Sequence, residues 1–318
     1  MKNYTKRFQI LLILSLMLLP IQSVFGQTEY ELMIEVEKLI NDGKLNKAIK
    51  SCDQIIAGNP QNYGAYISKS NVLVELEKYD EAITALNDGL EANPEEAWLY
   101  NQRALLYQSY GMTYPALRDY KKGIEFAKND TMKNTLWMNQ ATAKSSLREF
   151  EASYKILQKC FAFDSTNLGV LNNLATVCDE IGKPELTEYY LLKVIKIDSL
   201  FIGGYVNLGF MYQGREEYEK SITYFDKALE IQPDEAYSYS NRSYSKLKIG
   251  DVKGALDDVN KSLELYPGNS YAYRNRALIY IEMDKMKKAC EDLQLAIDWK
   301  FTQAYGKEVV DLQGKYCR

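Results

Sequence analysis

Residues 202–235 read IGGYVNLGFMYQGREEYEKSITYFDKALEIQPDE, and two apolar stripes run through them. Tyr205, Leu208, Gly209 and Tyr212 recur at spacings of three, one and three, which places them on one face of an α-helix. Ser221, Phe225, Ala228 and Leu229 draw a second such face. Gln213-Gly214-Arg215 is read as the turn between the helices, and Pro233 stands after the second one, which a proline cannot continue. Each helix has a single apolar face, so the pair cannot bury itself and needs a similar pair on either side.

Those neighbours are present. Copies of the stretch start at Glu29, Tyr63, Ala97, Asn134, Leu168, Ile202, Ala236 and Ser270, six steps of 34 residues and one of 37. The small residue that opens each second helix is Ala48, Ala82, Ala116, Ser153, Thr187, Ser221, Ala255 or Ala289. A 34-residue period with two helices per unit resembles the tetratricopeptide repeat (TPR) family. The sixth copy carries the motif most fully: Tyr205, Leu208, Gly209, Tyr212, Tyr218, Ser221, Phe225, Ala228 and Pro233 at positions 4, 7, 8, 11, 17, 20, 24, 27 and 32. The resemblance covers residues 29–303 and implies an all-α fold, a superhelical solenoid of antiparallel helix pairs.

The ends bound this array. Residues 1–26 place Lys2, Lys6 and Arg7 ahead of an apolar run from Phe8 to Leu19, then Pro20 and small or polar residues, the pattern of a secretory signal peptide. Twelve apolar residues fall short of the ~20 that a membrane-spanning helix needs. An exported protein is expected, whether periplasmic, envelope-associated or secreted. Loss of residues 1–26 would remove three of the 39 Lys and Arg and none of the 43 Asp and Glu, leaving a net charge of about −7. That charge, with no basic run, argues against nucleic acid as a partner. The chain has no histidine, the usual general base and the commonest metal ligand. No Gly-rich phosphate loop, nucleophile elbow or paired-cysteine motif is present, so neither an enzyme nor a cofactor or metal site is expected.

Of the five cysteines, Cys52, Cys160 and Cys178 fall at core-facing positions and are read as small buried hydrophobes. Residues 304–318 have helical spacing of their own, in Val309, Val310, Leu312 and Tyr316, and are read as the capping helix that a last repeat requires. Cys290 lies in that repeat and Cys317 in the cap, so a disulfide between them is expected in an exported protein. The alternative is two free thiols, and a thiol count on the denatured, non-reduced chain separates them, three against five.

Position 7 is Arg103, Arg242 and Arg276 in repeats 3, 7 and 8 alone, and position 23 is Asp119, Asp258 and Asp292 in the same three repeats alone. An Arg–Asp pair tying the two helices of each of these repeats follows. The three extra residues of the longer step lie within Ala127–Lys133. They are read as a longer loop, with a bend between residues 29–130 and 134–318 as the alternative.

In the TPR family the first helices line a concave groove through positions 2, 5, 6, 9, 12 and 13. The resemblance places Asn139, Asn173, Asn207, Asn241 and Asn275 at position 6 of five successive repeats, a ladder of amides able to hold an extended peptide's backbone. Phe210, Tyr237, Tyr244 and Tyr271 give the groove an aromatic lining beside it. The set of Lys, Asn and Arg by which chaperone-binding members clamp a C-terminal carboxylate is absent from repeats 5–8. The expected function is therefore a non-catalytic scaffold that binds a protein or peptide partner, as an extended strand or a helix, in the groove. The alternative is a structural spacer or assembly subunit of a cell-envelope complex that uses its convex face or its ends.

Overall fold

A computed structural model describes residues 26–317; residues 1–25, and with them nearly all of the expected signal peptide, lie outside the described part. The described residues form helices and no strand, in two compact units, residues 26–139 and 140–317. The first unit holds α1 (Gly26–Asn41), α2 (Leu45–Gly58), α3 (Tyr63–Glu75), α4 (Tyr79–Ala92), α5 (Ala97–Ser109) and α6 (Thr113–Phe126). The division falls within α7 (Asp130–Ser146). The second unit continues with α8 (Phe150–Phe163), α9 (Leu168–Glu180), α10 (Pro184–Ile197), α11 (Ile202–Gly214), α12 (Tyr218–Ile231), α13 (Ala236–Lys248), α14 (Val252–Leu265), α15 (Ser270–Glu282) and α16 (Met286–Asp298). In each unit a first helix packs on the second helix of its own repeat and on the second helix of the repeat before it.

The repeat boundaries follow from local chemistry. At position 15 of every repeat the backbone has a positive φ, between 55° and 85°. Half of these residues are glycines (Gly43, Gly111, Gly182, Gly250), and half are not (Glu77, Arg148, Glu216, Asp284). The next N–H bonds the carbonyl five residues back at 2.8–3.0 Å in all eight repeats, the bond that ends a helix in a left-handed residue. The turn of repeat 6 is accordingly Arg215–Glu217, later than Gln213-Gly214-Arg215, because α11 runs through Gly214 until Glu216 turns the chain. Six first helices open on a side-chain cap, from Asn62, Glu96, Asn129, Asn167, Glu235 and Asn269.

The small residues opening the second helices are all buried, with Ala48, Ala82, Ala116, Ser153, Ser221, Ala255 and Ala289 at 0% exposure. They let the two helices of a repeat approach closely, and Gly209 shows how closely: a Cβ there would come within 2.7 Å of the Phe225 ring. Each position-7 arginine meets its aspartate with two bonds, Nε and Nη2 each to a carboxylate oxygen, at 2.7 Å for Arg103–Asp119, 2.6–2.7 Å for Arg242–Asp258 and 2.7–2.8 Å for Arg276–Asp292. Nη1 reaches a third partner on the preceding repeat, Asn87, Asp226 or Asn260. One guanidinium thus ties three helices. Burial pulls the Arg242 pKa down, and the Asp258 and Asp226 carboxylates outweigh it, leaving it raised.

Two expectations need correction. The three extra residues enlarge no loop: α7 starts at Asp130 and has 17 residues where the other first helices after α1 have 13, with the Asn129 side chain accepting the Met132 N–H. The cap begins before residue 304: a short helix α17 (Phe301–Tyr305) precedes the capping helix α18 (Glu308–Tyr316). Lys300 (φ 66°) ends α16 and Gly306 (φ 88°) ends α17, so the chain doubles back twice over the last repeat. Phe301 and Val309 bury completely against Ala277, Leu293 and Ala296, and a Cys290–Cys317 disulfide with Cα atoms 5.6 Å apart joins α16 to the end of α18.

Candidate binding surface

In the second unit the first helices α9, α11, α13 and α15 follow one another, with α11 touching α13 and α13 touching α15. Positions 5 and 6 of neighbouring repeats therefore meet. Asn207 Nδ2 donates to Asn172 Oδ1 at 2.6 Å, and Asn275 Nδ2 donates to the Ser240 carbonyl at 2.9 Å. The first unit has the same joint, Asn139 Nδ2 to Asn101 Oδ1 at 2.8 Å. These position-6 amides join repeats. Asn275 is fully buried, its Oδ1 taken by Arg274, and it does not offer a surface rung. The ladder expected of five equivalent amides is thus uneven. Asn173 and Asn241 are half-buried, and the preceding position 5 is Met138 or Val206, side chains with no oxygen to hold an amide.

Beside these amides the aromatic side chains divide by exposure. Phe210 is 55% exposed and Tyr237 50%, with the Tyr237 ring 5.9 Å from Tyr266. Burial, and then the neighbouring Tyr266, raise the Tyr237 phenol pKa. Tyr244 and Tyr271 are half-buried, and Tyr271 stacks on Phe301 and tilts against Tyr305 of the cap. A shallow cleft opens among Phe210, Gln213, Tyr218, Tyr244, Tyr271 and Arg274. Arg274 lies between two rings, its guanidinium carbon 4.9 Å from the Tyr244 centroid and 5.5 Å from that of Tyr271.

Cys52, Cys160 and Cys178 are buried thiols whose pKa values burial lifts to about 12, 11 and 11, which suppresses the reactive thiolate. Among the described residues no group of three or more Cys, Asp or Glu is placed to hold a metal ion, and no helix is long and apolar enough to cross a membrane.

Sequence reasoning passed over Arg274 and Gln213. Both stand at groove positions, 5 and 12, so their side was legible. Their partners were not, because Gln213 bonds the Asn241 carbonyl and Ser245, and Arg274 bonds Asn275 and Glu308, across helices that no local pattern links.

Models of the tetratricopeptide repeat match residues 39–104, 204–235 and 270–303. The TPR repeat-containing protein MJ1428 of Methanocaldococcus jannaschii is 23% identical over 271 residues, which take up 70% of this chain and 48% of that protein. The Hsp70-Hsp90 organizing protein of Triticum aestivum is 26% identical over 146 residues, 46% of this chain and 24% of its own length. The chain thus spans less than half of either relative. Among solved structures, the APC/C hetero-tetramer Cut9-Hcn1 superposes with a TM-score of 0.62 at 16% identity, over 91% of this chain and 56% of that one. A tetratricopeptide repeat protein from Parabacteroides merdae gives 0.53 at 16% identity, over 90% and 99%. At such identities the likeness speaks to fold alone.

Proposed function

Because the chain belongs to the tetratricopeptide-repeat family, we propose that it is a non-catalytic protein-interaction scaffold which takes an extended peptide along the first helices of its second unit. The observation that carries this reading is the exposure of Phe210 on α11 and Tyr237 on α13, first helices of successive repeats, with the half-buried amides of Asn173 and Asn241 at position 6 of α9 and α13. Large apolar side chains are normally buried, and a contiguous exposed set flanked by amides that can bond a peptide backbone is the usual form of a binding face. Export belongs to the same reading and rests on residues 1–26; recovery of the chain from the cytoplasm with Met1 intact would remove it.

The test is affinity capture from cell-envelope extract with the full chain, beside a Phe210→Ala/Tyr237→Ala/Asn173→Ala/Asn241→Ala variant shown by circular dichroism to stay folded. Partners lost with the variant support the reading. Equal retention overturns it and favours the second reading, an assembly subunit that binds elsewhere. Tyr110, Met112 and Tyr114, exposed by 40, 45 and 69% around the α5–α6 turn of the first unit, speak for that alternative.

A further inference from the structure

The fold shows how it satisfies a buried guanidinium. In Arg103, Arg242 and Arg276 the edge formed by Nε and Nη2 is closed by both oxygens of one aspartate, and Nη1 finds a further oxygen. Arg274 is buried more deeply than its surface position suggests, at 7% exposure, and is treated differently. Its Nη1 donates to Asn275 Oδ1 at 2.8 Å and its Nη2 to one oxygen of Glu308, on α18 of the cap. Its Nε has no partner.

The bidentate edge of Arg274 is therefore half filled. Arg274 lines the cleft of Phe210, Tyr218, Tyr244 and Tyr271, with its Nε itself buried, and there the rings strip water from the cation and strengthen its attraction for any anion that reaches it. The incumbent is weakly held in place: the Glu308 side chain is 44% exposed and sits at the start of a nine-residue helix. Lys248, with Nζ 5.2 Å from the Tyr244 centroid, adds a second cation near the cleft, and Glu216 is the acid that lines it.

We propose that the Nε/Nη2 edge of Arg274 is the carboxylate-binding point of the peptide-binding face, and that Glu308 is a built-in competitor that half occupies it. The ligand is a peptide segment carrying a carboxylate next to an aromatic or apolar side chain, the carboxylate bridging Nε and Nη2 while its neighbour lies against Phe210 and Tyr244. A planar pair of oxygens matches that edge as it does in the three Arg–Asp pairs. A single neutral carbonyl would fill Nε and leave the charge uncompensated once Glu308 gave way. The proposal rests on the peptide-binding reading and adds the chemistry of its ligand.

The test uses the full, oxidised chain labelled with 15N-arginine, following the Nε–H signal of Arg274, assigned by its disappearance in Arg274→Lys. Three probes are titrated: N-acetyl-Tyr-Glu-amide, with a side-chain carboxylate; N-acetyl-Tyr-Leu, with a C-terminal one; and N-acetyl-Tyr-Gln-amide, which is neutral. The Arg274 signal moves with a carboxylate probe and not with the neutral one, and whichever acid binds identifies the source of the carboxylate. Glu308→Gln, on an exposed side chain and so compatible with folding, tightens that binding about tenfold, the worth of one charge-assisted hydrogen bond. A still signal with every probe up to its solubility, equal movement with the neutral probe, or unchanged affinity in Glu308→Gln each overturns the proposal. If any of these occurs while the Phe210 and Tyr237 variant still loses its captured partners, the carboxylate assignment falls and the peptide-binding reading stands.

Discussion

The helices α9 and α13 stand two repeats apart in one unit and fill positions 3, 7, 8 and 10 with opposite chemistry. In α9 the buried side chains are Val170, Leu171, Leu174, Ala175, Val177 and Cys178. In α13 they are Ala236 and four serines, Ser238, Ser240, Ser243 and Ser245, each at 0% exposure, with Arg242 where α9 has Leu174. Two of the serines are bonded outward, Ser245 to Gln213 of α11 and Ser221 of α12, and Ser240 to Asn275 of α15. Ser243 returns its hydroxyl to the Ser240 carbonyl. The slot between helix pairs accepts either chemistry because it fixes size and not polarity. What differs is tolerance: an apolar slot asks only for volume, and a polar one asks for every partner at once.

The sharpest break of that comparison is Asp258→Ala. It leaves Arg242 and Lys246 without the carboxylate that pairs both, and urea denaturation is expected to show a loss of about 3–5 kcal/mol. The double variant Arg242→Leu/Asp258→Tyr installs the Leu174 and Tyr190 of repeat 5 and is expected to recover to within about 1 kcal/mol of the parent, since apolar replacement of a buried pair is often neutral. A double variant as unstable as the single one would mean that the two slots are not interchangeable.

Reducing the Cys290–Cys317 disulfide is expected to cost about 3–4 kcal/mol on the chain-entropy model. Hydrogen exchange should show lost protection in α15–α18 and unchanged protection in α9. Loss spread evenly over both would show the polar and apolar ends to be one cooperative block. Next come the reciprocal exchanges Val177→Ser and Ser245→Ala, each expected to destabilise by about 1–3 kcal/mol. The first buries a hydroxyl among apolar groups, and the second strands Ser221 and Gln213. The smallest effects are gains. Glu216→Gly relieves a left-handed residue that repeats 5 and 7 already give to Gly182 and Gly250, and should stabilise by about 1 kcal/mol. Ser238→Ala removes a buried hydroxyl without a partner and should shift the urea midpoint slightly upward.

How much of this was legible depended on whether a feature repeats. The helix pairs, their starts and the buried small residue at position 20 recur eight times, so weak local signals add. The Arg–Asp pairs emerged because two positions changed together in the same three copies. Their third partner carried the same kind of signal, an acceptor at position 25 of the repeat before each arginine, in Asn87, Asp226 and Asn260, though that correlation runs between repeats. The ladder failed at Asn275 because one residue type at one position has two uses, and the neighbour at position 5 decides between them.

The sequence by itself determined that this chain is an array of helix pairs, where six of the eight first helices begin, and which faces are buried, because those properties depend on side-chain spacing along a helix and on turn residues a few positions away. Tertiary structure alone decided which polar groups find partners: that Ser245 meets Gln213, that Asn275 is buried, that a short helix precedes the capping helix, and that Arg274 keeps a buried Nε without a partner. The physical reason is one of range and direction. Hydrophobic burial is undirected and is read from pattern, whereas a hydrogen bond exists only when two atoms from distant parts of the chain come within about 3 Å at the right angle.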